Sequence, residues 1–62
     1  MTTIRIQIEL PTDQAWAYAQ YLKRVGLDDY RQRAVNDAEA WDMQEAGEIV
    51  RRALTEKGIA PR

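Results

Sequence analysis

Residues 3–10 read T-I-R-I-Q-I-E-L, and apolar and polar side chains alternate along them without exception. Ile4, Ile6, Ile8 and Leu10 fall on one face of an extended segment, and Thr3, Arg5, Gln7 and Glu9 on the other. That period of two marks a half-buried β-strand. A strand presents backbone donors and acceptors that need a partner. No second stretch of the chain could pair with this one, so the economical partner is the same segment of another copy. The sequence therefore predicts a homodimer formed through Thr3 to Leu10.

The rest of the chain reads as helix. Pro11 and Thr12 close the strand and open a helix over 12–25, with Thr12 as N-cap and Asp13 at the positive end of the helix dipole. Gly26 ends it, and Leu27 is placed to fold back on a glycine C-cap. Ala15, Tyr18, Leu22 and Val25 form its apolar stripe. Residues 28–35 read as a short helix or an ordered loop carrying Tyr30 and Val35 inward. Asn36 followed by Glu39 has the spacing of a capping box, which predicts a second long helix over 36–58, with Pro61 just beyond. Met43, Ala46, Val50, Ala53 and Leu54, with Ile49 alongside, make the stripe expected to be buried. Gly47 interrupts it at a cost of about 1 kcal/mol relative to alanine, which points to close packing or a hinge. The predicted fold class is α+β: a single domain over 1–62 with one N-terminal β-strand, two main α-helices and a short segment between them, the strand paired in a homodimer.

Composition narrows the chemistry. A chain of 62 residues buries only about 60% of the surface it exposes when unfolded, so its core needs a supplement. There is no cysteine and no histidine, which removes disulfides, thiol and imidazole catalysis and the usual zinc ligands, and leaves oligomerisation. No apolar run approaches the roughly 18 residues of a membrane span, and the start lacks the basic and apolar regions of a signal peptide, so the expected location is cytoplasmic. Carboxylates are the only catalytic groups in quantity, and a chain this small scarcely encloses the cleft that would tune them. The expectation is a non-enzymatic protein with no cofactor, no metal and no small-molecule substrate. The i, i+3 spacing of Glu39, Asp42 and Glu45 reads as a solvated helix face.

The net charge of −1 conceals blocks. Residues 1–25 carry +1, residues 26–48 carry −5 and residues 49–62 carry +3. Such blocks set which surface meets which partner. Neither tryptophan fits the apolar stripes: Trp16 falls about 160° from Tyr18, and Trp41 about 140° from Ala46. Either residues 28–35 or a second protomer covers them, or one anchors a binding surface. Trp41 is the stronger candidate anchor, because Asp37, Glu39, Asp42 and Glu45 surround it in sequence.

The segments I-R-I-Q-I-E-L-P, T-D-Q-A-W-A-Y-A-Q-Y-L-K-R-V-G and E-A-G-E-I-V-R-R-A-L together resemble the ribbon-helix-helix family of dimeric DNA-binding proteins. In that family two N-terminal strands pair antiparallel and enter the major groove, where their outward side chains read base edges. The resemblance implies Thr3, Arg5 and Gln7 as the readers, with Arg suited to guanine and Gln to adenine. Two features depart from the family pattern. About nine residues, 27–35, separate the helices, and the turn that would face phosphates contains Asp37 and Glu39, which oppose the electrostatic part of DNA affinity. The stretch D-D-Y-R-Q-R-A-V-N-D-A-E-A-W-D also resembles short uncharacterised proteins of mobile elements. Among small acidic proteins of that kind are anti-CRISPR inhibitors. That resemblance implies a different partner, a basic nucleic-acid-binding protein met by Asp37, Glu39, Trp41, Asp42 and Glu45.

Overall fold

Helix formation begins directly after Pro11, whose fixed φ suits the entry to a helix. The computed structural model describes residues 2–62 and contains three helices: α1 over Thr12–Arg24, α2 over Leu27–Arg31 and α3 over Asp37–Glu56. Both α1 and α2 pack on α3. The α+β expectation is corrected: among the described residues there is no β-strand, and the fold is all-helical. Residues 2–10 are irregular, and none of their backbone groups bonds to another backbone group among the described residues. The physical reason lies in the definition of a strand. Alternating polarity describes a segment fit for a ladder, but a ladder needs a second segment, and one copy of this chain has only one.

Local hydrogen bonds explain where the helices start and stop. Pro11, not Thr12, occupies the N-cap position of α1, and its carbonyl accepts from the Ala15 N–H at 3.0 Å. At the other end Lys23 and Arg24 lie in the last turn, where cations are favoured. Gly26 is not a left-handed C-cap; its φ of −114° is extended, and it precedes α2, donating its N–H to Asp29 Oδ2 at 2.8 Å. Asn36 caps α3 by accepting from the Glu39 N–H at 2.9 Å. The reciprocal bond of the capping box lands one residue early, with Glu39 Oε1 accepting from the Val35 N–H at 3.1 Å. At the C-terminus of α3 the Gly58 N–H bonds Thr55 O and the Ile59 N–H bonds Leu54 O, both at 2.9 Å. This is a Schellman arrangement with Gly58 in the left-handed conformation, φ 84°.

The core is made of small residues. Among the described residues only Ala15, Ala19, Leu22 and Ala40 are buried. Alanine lets helices approach closely but removes little apolar area from water. Of the stripes read from periodicity, Ala15 and Leu22 are buried and the rest are not. Tyr18 is half-exposed, Ala46 and Ala53 are exposed, and Ile49 faces solvent, while Met43, Val50 and Leu54 are half-buried. Within residues 28–35, Tyr30 packs inward but Val35 is 83% exposed. Tyr30 also explains Gly47. A Cβ added there would lie 2.5 Å from the Tyr30 hydroxyl, with Leu22 at an ordinary 3.6 Å, so glycine is what lets Tyr30 of α2 close on α3.

Candidate functional site

Two surfaces carry the residues singled out by sequence. The first is the N-terminal arm. Thr3, Arg5 and Gln7 are all exposed, and Arg5 makes no ion pair among the described residues. The apolar face of the arm is exposed as well: Ile4 at 88%, Ile6 at 72% and Ile8 at 65%. Ile6, Ile8 and Leu10 form one wall of an open groove of about 1070 Å³, whose other wall is Tyr18, Tyr21 and the α3 residues Val50 and Leu54. Tyr18 and Tyr21 stack, with ring centroids 5.8 Å apart and planes inclined by 14°. Periodicity did not anticipate this groove, since it placed Tyr18, Val50, Ala53 and Leu54 in the interior. The signal that could have found it is the alanine content of the true core, which leaves the larger apolar side chains without cover.

The second surface is the start of α3. Here the acidic residues divide. Asp37 lies 3.4 Å from the Arg31 guanidinium, which also holds Asp28 at 3.0 Å, and Glu39 is engaged by the Val35 N–H. Both acids thus help to fix the α2–α3 connection. Asp42 and Glu45 are exposed and form no ion pair among the described residues. Trp41 is 49% exposed and Trp16 40%, so the connecting segment buries neither. The structure accordingly leaves Trp41, Asp42 and Glu45 accessible, and assigns Asp37 and Glu39 structural contacts.

Tyr30 titrates away from its ordinary value. Burial raises its pKa above 10.0, reinforced by Tyr21, Tyr18, Glu48 and Asp29 nearby. Its hydroxyl faces Gly47. Among the described residues no group of three or more acidic, histidine or cysteine side chains converges as a metal site. No helix is long and apolar enough to cross a membrane.

No curated protein and no solved structure matches this chain. A family model does, over residues 1–62, and the chain belongs to that family of unknown function, DUF7706.

Proposed function

We propose that this chain is a small, non-enzymatic, cytoplasmic DNA-binding regulator that acts as a homodimer, with Thr3, Arg5 and Gln7 contacting base edges. The observation that carries the reading is the arm. Its polar side chains are exposed, its backbone groups have no backbone partner among the described residues, and Arg5, whose guanidinium can donate in bidentate fashion, makes no ion pair among those residues. Two copies brought together through Thr3 to Leu10 would place two such sets of side chains side by side. The acidic turn at α3 opposes this less than its composition suggests, since Arg31 partly neutralises Asp37.

Selection from a random duplex library at low salt tests the proposal. The expected result is an enriched sequence whose affinity falls steeply with salt, and Arg5→Ala should abolish the selection while leaving mass and helicity unchanged. Retention of no selected sequence refutes it. Trp41, half-exposed beside the free carboxylates of Asp42 and Glu45, favours a second reading, an acidic inhibitor docking on a basic nucleic-acid-binding protein. Under that reading Trp41→Ala, or charge reversal at Asp42 and Glu45, removes co-purification of a basic partner and Arg5→Ala does not.

A further inference from the structure

The surface of this molecule is too large for its mass. Its accessible area of 5531 Å² exceeds by roughly 1400 Å² the about 4100 Å² that a compact monomer of 7.2 kDa displays. Its radius of gyration, 12.6 Å, likewise exceeds the roughly 11 Å of a compact domain of this length. Large apolar side chains are among those left uncovered, with Ile4, Ile6 and Ile8 at 65–88% exposure. Ile6, Ile8, Tyr18, Tyr21, Val50 and Leu54 face one open groove, with Ile59, fixed by the Schellman turn, also on its wall. Exposed apolar patches beyond a few hundred Å² mark association surfaces on soluble proteins.

We propose that this groove, between the N-terminal arm and the α1–α3 pair, is the seat of a second copy of this chain, so that the interface extends from the arm onto both long helices. The inference deepens the homodimeric reading above and rests on it for the contribution of the arm. Three observations select the occupant. The surplus, taken over the whole surface with the arm included, is enough to supply the about 800 Å² that one partner contributes to an interface of standard size. Among the described residues the groove is lined almost wholly by uncharged side chains, with Lys57 the one charged residue, so it offers little to a charged partner. A second copy brings the matching element: an arm whose isoleucines are equally uncovered and whose backbone groups have no backbone partner among the described residues. Reciprocal seating covers both sets at once, as a two-fold interface requires.

The test is the mass in solution of the full chain and of three variants. Wild type at micromolar concentration should sediment at twice 7.2 kDa, and its unfolding midpoint should rise with protein concentration, as mass action demands of a dimer. Ala53 is exposed in the single chain and lines the groove. Ala53→Glu places a carboxylate where the partner would bury it, and should weaken the dimer by roughly tenfold or more while circular dichroism stays helical. Ile8→Glu on the arm should do the same. Ala38→Glu, the same change at an exposed position of α3 outside the groove, should leave the mass unchanged. A monomeric wild type with a concentration-independent midpoint overturns the proposal. So does an Ala53→Glu protein that remains dimeric, or an Ala38→Glu protein that dissociates equally. A monomer that still selects a DNA sequence defeats the interface and spares DNA binding; a dimer that selects none does the reverse.

Discussion

Replacing Gly47 with alanine sets two effects of opposite sign against each other. In the interior of α3 alanine is favoured over glycine by about 1 kcal/mol, because glycine loses more backbone freedom on entering a helix. Here, however, the new methyl would sit 2.5 Å from the Tyr30 hydroxyl, inside van der Waals contact, with Leu22 Cδ2 at an ordinary 3.6 Å. Relief requires the Tyr30 ring to back away from the surface it packs on, and overpacking of this sort costs typically 1–3 kcal/mol. The net expectation for Gly47→Ala is a loss of about 1 kcal/mol, which for a domain of this size lowers the melting temperature by roughly 4–8 °C. Removing the hydroxyl separates the two effects. In a Tyr30→Phe background the nearest Tyr30 atom, the ring carbon Cζ, is 3.6 Å away, so Gly47→Ala should become stabilising by about 0.5–1 kcal/mol. The double-mutant cycle, followed by urea unfolding with helicity at one fixed protein concentration, should show a coupling of about 2 kcal/mol between the two positions. Stabilisation by Gly47→Ala alone, or a coupling near zero, would refute the close approach of Tyr30 as the reason for glycine.

The raised pKa of Tyr30 predicts a pH effect with a fixed sign: the folded state holds the phenol proton more tightly than the unfolded chain, so its contribution is full below the ordinary value of 10.0 and is lost as pH rises through the higher folded value. Between about pH 9 and about pH 11 wild type should therefore lose more unfolding free energy than Tyr30→Phe, in parallel urea titrations. Asn36→Ala removes the oxygen that accepts from the Glu39 N–H and should cost about 1 kcal/mol, whereas Asn36→Asp should retain most of the stability, both read by thermal unfolding. Gly58→Ala forces an L-residue to a φ of 84° and should cost about 1 kcal/mol, with fraying of the last turn of α3 visible as faster amide exchange at position 58 and at Ile59.

Legibility differed from one part of the chain to another. The bond from Asn36 to the Glu39 N–H and the left-handed Gly58 follow from short-range chemistry, and each can be read from residues three to five apart. The stripes were only partly right, Ala15 and Leu22 being buried as read and Tyr18 not, because periodicity reports which residues share a face, not which of several faces finds a neighbour. On α1 the buried line keeps Ala15 and Leu22 of the stripe read from sequence and takes Ala19 in place of Tyr18. On α3 only Ala40 is buried. Alanine weighs little in a hydrophobicity pattern, yet where helices pack closely it is the residue that fits. Among the candidate site residues, Thr3, Arg5 and Gln7 stand exposed, while Asp37 and Glu39 are engaged within the chain by Arg31 and Val35, contacts created by the α2–α3 turn.

What the sequence by itself determined is the alternation of residues 3–10, the charge blocks, the capping chemistry at Asn36, and the absence of thiol and imidazole groups. These are properties of composition and of neighbours along the chain. The tertiary structure decided that residues 3–10 stand as an unpaired arm, that Tyr30 occupies the space Gly47 leaves, and that Tyr18, Val50 and Leu54 border an open groove. Pairing and burial depend on what distant segments bring, and a core built from three alanines and one leucine leaves the larger apolar side chains at the surface.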